Sequence, residues 1–160
     1  MTYATADLCD RHEPGVQVAE PLFRDFGGSA AFAGPVATVR ALEDNTLVRE
    51  ALETPGEGRV LVVDGGGSRR CALLGDRLAS VALDNEWAGV IIYGCVRDTS
   101  ALKSMALGIK ALEACPRRSR KLGHGERDVT VAFAGVRFEP GAHLYADGDG
   151  IIVSASAIEA

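Results

Sequence analysis

The chain has 160 residues, of which 47% are hydrophobic and 24% charged, and its formal net charge is −5. This composition is typical of a globular protein with a core and excludes a disordered or fibrous chain. The acidic balance argues against nucleic acid as a direct ligand, because phosphate binding favours a basic face. No stretch approaches the ~18 consecutive apolar residues of a membrane span. The start of the chain also lacks the basic region of a signal peptide.

Four cysteines, Cys9, Cys71, Cys95 and Cys115, show no CxxC spacing and no metal-finger pattern. We therefore expect a reduced, cytoplasmic protein. Cys95 lies near the candidate site described below, so it could be a reactive thiol. A small buried side chain is the commoner role for such a cysteine.

The first third of the chain predicts short elements divided by Pro and Gly. Residues 5–10 predict a helix capped by Thr5. Residues 32–42 predict a strand, and Pro35 places it at a strand start or at a sheet edge because proline donates no ladder hydrogen bond. Residues 45–53 predict a second helix that follows Asp44 as its cap.

The centre of the chain predicts a βαβ unit. Residues 60–63 are all apolar and flanked by turn residues, as in a strand buried on both faces. A helix with Asp76 as its N-cap follows, and residues 89–93 form a second apolar run. A strand, a crossover helix and a strand make a right-handed unit with parallel strands.

The last third is richer in strands. Residues 100–105 predict a short helix, and residues 109–115 fit either a strand or a helix. Short apolar runs beyond residue 129, separated by Gly and Pro, predict antiparallel hairpins. The basic run at residues 117–121 predicts a solvated loop, with an anionic partner surface as the alternative. We predict one α/β domain over residues 1–160, with a parallel βαβ centre and a β-rich C-terminal part.

A candidate anion site lies at Gly75, Asp76, Arg77 and Leu78. If a helix begins at Asp76, its first backbone N–H groups have no intrahelical partners and can bind a carboxylate or phosphate. Gly75 would let the ligand approach the backbone. The alternative is an ordinary capped helix start.

Arg97 and Asp98 follow the second apolar run and the loop predicted at residues 94–96. A guanidinium can hold a carboxylate through two hydrogen bonds. The alternative for Arg97 is a surface arginine paired with an acid such as Asp98. Asp98 is an oxygen ligand of the kind that Mg²⁺ prefers, or else it caps a helix.

Other conspicuous residues predict no chemistry. The triglycine Gly65–Gly67 gives neither the GxGxxG spacing nor a Walker lysine, and predicts a tight turn that leaves room beside the site. His12, His124 and His143 are scattered in the sequence and predict no zinc cluster.

Five segments resemble the RraA family, which includes regulators of ribonuclease E activity and class II 4-hydroxy-4-methyl-2-oxoglutarate aldolases. These segments are FAGPVATVRALEDN from residue 32, VLVVDGGGSRRCALLGD from residue 60, GCVRD from residue 94, GHGERDV from residue 123 and HLYADGDGIIV from residue 143. The spacing of Asp76, twenty residues and then Arg97-Asp98 matches the family's Asp-x20-Arg-Asp motif. The resemblance covers nearly the whole chain.

The resemblance implies an α/β/β sandwich of the swivelling, phosphohistidine-like type and a ring-shaped homotrimer. It also implies roles for the residues of the motif. Asp98 would ligate Mg²⁺ or Mn²⁺, Asp76 would hold the water shell of the metal, and Arg97 would bind the keto oxygen as it becomes an enolate. The pyruvyl carboxylate would bind the backbone amides of Gly75, Asp76, Arg77 and Leu78.

The resemblance leaves three functions open. One is a lyase that forms pyruvate from a 4-hydroxy-2-oxo acid, with oxaloacetate decarboxylation as a second activity. Another is a protein that binds ribonuclease E and inhibits it, and the third is a degenerate family member that only binds a small carboxylate. The regulators can lack the first acid or the Arg-Asp pair, whereas this sequence has Asp76, Arg97 and Asp98. We could match no residue to the acid that larger aldolases lend to a neighbouring subunit.

Overall fold

The computed structural model describes residues 2–159. Its helices are α1 (Thr5–His12), α2 (Thr46–Leu52), α3 (Asp76–Asp84) and α4 (Thr99–Lys103). Its strands are β1 (Gln17–Val18), β2 (Arg24–Asp25), β3 (Phe32–Arg40), β4 (Val60–Asp64), β5 (Ala72–Leu74), β6 (Gly89–Val96), β7 (Gly108–Ala114), β8 (Glu126–Arg127), β9 (Val131–Phe133), β10 (Val136–Phe138), β11 (His143–Asp147) and β12 (Gly150–Ser154).

The main sheet has the strand order β1-β12-β11-β3-β4-β6-β7-β2, with β5 paired to β6 and β8 paired to β3. Neighbouring strands from β3 to β7 run parallel, which confirms the predicted βαβ centre. The β9–β10 and β11–β12 hairpins are antiparallel, as predicted for the last third. The fold is therefore a mixed α/β architecture dominated by strands. Both its assignment to the swivelling type and its extent as one domain stay predictions.

Both faces of the central strands are buried, because alternate side chains enter two separate cores. Leu61 and Val63 pack in a core with residues of α2, α3 and α4. Val60 and Val62 pack in a second core with residues of β9 and β10. A strand covered on both sides has no polar face, which explains the uninterrupted apolar run in this part of the sequence.

The prediction of an edge position for β3 is wrong. The strand lies inside the sheet, paired to β11 over residues 32–35 and to β4 over residues 36–40. The Val36 N–H donates to Ala142 O on the β11 side. Because successive N–H groups alternate in direction, Pro35 faces the β4 side just before that pairing begins. The missing donor therefore breaks no ladder hydrogen bond.

Helix starts differ from the predictions by one residue. Ala4, not Thr5, is the N-cap of α1, because the Thr5 hydroxyl and N–H both bond to Asp147. Gly75, not Asp76, is the N-cap of α3. One other local prediction is wrong, since residues 94–96 belong to β6 rather than to a loop. Of the two alternatives for residues 109–115, the strand is confirmed, as β7 spans Gly108–Ala114. None of the helices in the described part of the chain is long and apolar enough to cross a membrane.

Candidate active site

The predicted site residues meet at one edge of the sheet. Strands β5 and β6 are parallel neighbours, so Gly75 and Arg97, which directly follow them, lie side by side. The Arg97 N–H donates to Leu74 O at 2.9 Å and fixes this alignment. Carboxyl ends of parallel strands are where open α/β sheets bind ligands. Strand β5 was not predicted, because three apolar residues carry too little periodicity to identify a strand.

Asp98 reaches back to the start of α3. Its backbone is left-handed, with φ 60°, and its Oδ2 accepts a hydrogen bond from the Asp76 N–H at 3.0 Å. A Cβ on Gly75 would lie 2.5 Å from Asp98 Oδ2, so this approach needs glycine. One of the amides predicted for a substrate carboxylate is thus bonded to Asp98. The N–H groups of Arg77 and Leu78, in the first turn of α3, have no intrahelical acceptors.

Arg97 is not paired with Asp98. Within residues 2–159 no ion pair involves the Arg97 guanidinium, whose nearest hydrogen-bond acceptor is Pro116 O at 3.5 Å. The alternative of a surface arginine neutralised by its neighbour is therefore wrong. Arg97 as a residue is half-buried and borders the cleft described next, where its guanidinium can bind an anionic oxygen.

These residues form part of a cleft of about 570 Å³ that sequence reasoning recognised only in part. Its lining also includes residues of α2 and of the loop after β7, namely Asn45, Arg49, Arg118, Ser119 and Lys121. The run at 117–121, predicted to be a solvated loop, is exposed except at the buried Ser119, and it contributes three residues to the cleft. Its density of positive charge was the only sequence signal of this role. The triglycine turn, by contrast, contributes no lining residue.

The hydrogen-bonded pair Lys121 and Asn45 joins the basic side of the cleft to the sheet. Lys121 Nζ donates to Asn45 Oδ1 at 3.0 Å, and Asn45 Nδ2 donates to Leu73 O at 3.3 Å. The pKa of Lys121 is lowered by partial loss of hydration and by the positive charges of Arg49, Arg97 and Arg118. Four cationic groups therefore act on one another across this cleft.

The buried Asp44 holds this side of the cleft together. Its side chain accepts hydrogen bonds from the N–H groups of Thr46, at the start of α2, and of Leu122 and His124, beyond the basic loop. Burial by itself would raise the pKa of Asp44, but these hydrogen bonds outweigh it and lower the pKa to about 2. An ionised Asp44 thus fixes Asn45 and Lys121 next to each other.

The cysteines do not take part in the cleft. Cys95 is fully buried in β6, and burial raises the pKa of its thiol. The interpretation of Cys95 as a buried small residue is therefore confirmed, since a reactive thiol needs exposure and a lowered pKa. All four cysteines are free thiols.

Comparison with known proteins identifies the family. The model of the RraA-like family, described as Aldolase/RraA, matches residues 5–153. A relative from Alkalilimnicola ehrlichii, named "Putative 4-hydroxy-4-methyl-2-oxoglutarate aldolase", is 58% identical and the match covers 99% of this chain and 98% of the relative. A relative from Aromatoleum aromaticum with the same name is 54% identical over 99% of both chains.

Two solved structures share the fold over nearly their whole length. The RNA-processing inhibitor RraA from Thermus thermophilis is 46% identical, with a TM-score of 0.96 and coverage of 99% of this chain and 96% of that one. A structure from Geobacillus kaustophilus, described as an S-adenosylmethionine:2-dimethylmenaquinone methyltransferase, is 53% identical, with a TM-score of 0.94 and coverage of 98% and 97%. This chain belongs to the RraA-like family, as its sequence motifs predicted.

Proposed function

We propose that this protein is a divalent-cation-dependent lyase that cleaves 4-hydroxy-4-methyl-2-oxoglutarate, or a related 4-hydroxy-2-oxo acid, to pyruvate. Decarboxylation of oxaloacetate is a second activity of the same site. The observation that carries the proposal is the meeting of Arg97, Asp98 and the first turn of α3 at one end of the cleft. The aldolase names of relatives that are 53–58% identical support it.

The residues fit a weakly held hard cation. Among the described residues no three His, Cys, Asp or Glu side chains are grouped to hold a metal, which argues against a structural zinc site. Asp98 Oδ2 accepts from the Asp76 N–H, and within residues 2–159 no hydrogen bond involves Asp98 Oδ1. Mg²⁺ or Mn²⁺ is commonly held by one or two carboxylates, with water and substrate completing its shell. We propose Asp98 as the ligand and Asp76 as a partner of the surrounding water.

The chemistry requires stabilisation of a developing negative charge. Loss of the 4-hydroxyl proton and cleavage of the C3–C4 bond leave the bonding electrons on one pyruvate as its enolate, while C4 becomes the carbonyl of a second pyruvate. Protonation of C3 then completes the reaction. Loss of carbon dioxide from oxaloacetate gives the same enolate. A divalent cation, when bound, supplies positive charge next to the 2-oxo oxygen.

The protein's own groups share this task. Arg97 donates hydrogen bonds to the 2-oxo oxygen, where the negative charge grows, so its contribution is largest in the transition state. The N–H groups of Arg77 and Leu78, at the positive end of α3, bind the carboxylate beside it. The cleft is lined mainly by charged and polar side chains. This lining suits a small oxo acid better than the adenosyl group of S-adenosylmethionine.

A pyruvate-release assay tests the proposal. Purified protein is given 4-hydroxy-4-methyl-2-oxoglutarate or oxaloacetate, with Mg²⁺ or with a chelator. We expect Asp98→Ala and Arg97→Ala to lower kcat/KM by roughly 10²-fold or more, as loss of a transition-state charge partner does. Arg137→Gln, an exposed change in β10, is the control and should keep full activity. Turnover that needs no cation, or that survives both changes, would refute the proposal.

Regulation of a ribonuclease is the second candidate function. It is favoured by the Thermus structure, an RNA-processing inhibitor that is 46% identical to this chain. We propose ribonuclease E as the partner, with no direct contact to nucleic acid. A pull-down on the immobilised nuclease over a range of salt concentrations tests this function, and no retention at low salt would eliminate it. Asp98→Ala, which should stop catalysis, should leave this binding intact if the two functions use separate surfaces.

We also propose a homotrimer, on the basis of the family resemblance. Sedimentation equilibrium at micromolar concentration should give three times the 16.8 kDa of one chain. A monomer under these conditions would contradict the proposal.

A further inference from the structure

We infer that Arg49 and Arg118 form a subsite for the second carboxylate of the substrate, and that they make the cleft selective for dicarboxylic over monocarboxylic 4-hydroxy-2-oxo acids. This inference rests on the proposed function, because it concerns the part of the substrate that does not react. It assigns a role to two residues outside the Asp-x20-Arg-Asp motif.

The two arginines come from separate elements that border the cleft. Arg49 lies one helical turn after Asn45, and its N–H donates to Asn45 O at 3.0 Å. Its side chain is therefore on the same side of α2 as the Asn45 side chain, which meets Lys121. Arg118 pairs with Ala72 of β5 through an isolated parallel bridge, two residues before the end of that strand. Both arginines line the same cleft as Arg97 and Asp98.

Neither arginine has a protein partner for its charge. Within residues 2–159 every ion pair involves other residues, and neither guanidinium donates a hydrogen bond. Some other surface arginines, such as Arg24 and Arg70, pair with glutamates. Two exposed guanidinium groups held in the same cleft without an acid are available to an anionic ligand.

The excess of positive charge in the cleft also favours a ligand with more than one carboxylate. The lining holds two acids, Asp76 and Asp98, against five cations, Arg49, Arg77, Arg97, Arg118 and Lys121. Any divalent cation on Asp98 adds to this excess. One carboxylate at the start of α3 and one oxo group at Arg97 leave four cationic side chains of the lining, Arg49 and Arg118 among them, for further anionic groups. A second carboxylate on the same small molecule would neutralise part of this excess charge, and a guanidinium can hold a carboxylate through two hydrogen bonds.

The test compares two substrates in the presence of Mg²⁺. 4-Hydroxy-4-methyl-2-oxoglutarate carries the second carboxylate, and 4-hydroxy-2-oxopentanoate lacks it. We expect Arg49→Gln and Arg118→Gln each to lower the ratio of kcat/KM for these two substrates by about tenfold, mainly through KM for the dicarboxylate. The double variant should lower the ratio further, and Arg137→Gln should leave it unchanged.

A binding measurement separates failure of this inference from failure of the proposed function. Titration calorimetry gives the Kd of 2-oxoglutarate, which has the distal carboxylate, and of pyruvate, which does not. The wild type should bind 2-oxoglutarate more tightly, and the double variant should bind both with similar affinity. This result would support the subsite even if no substrate were cleaved. If neither the catalytic nor the binding ratio changes in the double variant, the subsite is refuted.

Discussion

Gly75 is the residue on which the geometry of the site depends most directly. Its φ of −132° is open to any amino acid, so the backbone alone does not require glycine. The requirement comes from its neighbours, since an added Cβ would lie 2.5 Å from Asp98 Oδ2 and 3.3 Å from Arg97 Cγ. Two groups that the proposed chemistry uses are therefore in contact with one small residue.

We expect Gly75→Ala to impair catalysis far more than folding. The methyl group must displace the Asp98 carboxylate or the Arg97 side chain, and a shift of about 1 Å in such groups can cost roughly 10²-fold in rate. The free energy of unfolding should change by less than about 1 kcal/mol, since both neighbours can move outward. The pyruvate assay and urea denaturation measure the two effects. Gly148→Ala, in open space, is the matched control.

Asp44 predicts a specific dependence of stability on pH. Its pKa of about 2 lies below the ordinary value of 3.8, so the ionised group stabilises the folded state. This contribution is about 2 kcal/mol. It is complete above pH 3.8 and is lost as the pH falls towards 2. In urea denaturation Asp44→Asn should therefore be less stable than the wild type at pH 6, and the difference should shrink through this window. A constant difference would show that ionisation of Asp44 is unimportant.

At the scale of elements, Phe32 sets how closely three strands pack at their beginnings. A Cβ added to Gly108, at the start of β7, would lie 2.0 Å from Phe32 Cδ1, and one added to Gly89, at the start of β6, would lie 2.3 Å from Cδ2. The ring therefore lies directly over the backbone of two parallel strands. Glycine at both positions makes this packing possible.

Gly108→Ala should destabilise the protein by about 2 kcal/mol. The added methyl group would overlap the buried Phe32 ring, and such overpacking strains the sheet. Thermal unfolding followed by circular dichroism measures the effect. Restoring space with Phe32→Leu in the same chain should recover part of the loss. If the double variant is no better than Gly108→Ala alone, the Phe32 contact is not the cause.

Elements with a strong local pattern could be predicted from the sequence, and contacts between distant segments could not. Apolar runs predict the buried strands β4 and β6, and apolar residues at helical spacing predict the helix α3. The residues of the Asp-x20-Arg-Asp motif could be recognised because they are close to one another in the chain. The run at 117–121 meets Asn45 through contacts between segments that are far apart in the chain: the Asn45 N–H donates to Arg120 O, and Asp44 bonds to Leu122, 78 residues away. Local periodicity carries no information about such a pairing, so half of the cleft was missed.

At the scale of the whole molecule, the net charge of the cleft lining is opposite in sign to the net charge of the chain. The chain has a net charge of −5, yet five cations and two acids line the cleft. A cationic cleft in an acidic protein attracts anions locally, while the rest of the surface repels them. Salt should weaken this attraction, since the Debye length is about 10 Å at 0.1 M ionic strength.

We expect kcat/KM to fall as ionic strength rises, and to fall more steeply for a substrate with two carboxylates than for one with a single carboxylate. Steady-state assays from low salt to about 0.5 M KCl at constant Mg²⁺ measure both slopes. Arg49→Gln together with Arg118→Gln should flatten the steeper slope. Equal slopes for the two substrates in the wild type would contradict the expectation.

Three backbone hydrogen bonds attach the basic loop, residues 117–121, to the rest of the chain, in addition to the side-chain bonds of Asn45 and Asp44. Arg117 O accepts from the Ala72 N–H, the Arg120 N–H donates to Glu43 O, and Arg120 O accepts from the Asn45 N–H. Because these three bonds do not depend on which side chains the loop bears, we expect the exposed Arg118 to be exchangeable at little cost to folding. A change at Arg118 should then alter what the cleft binds while its reacting groups stay in place.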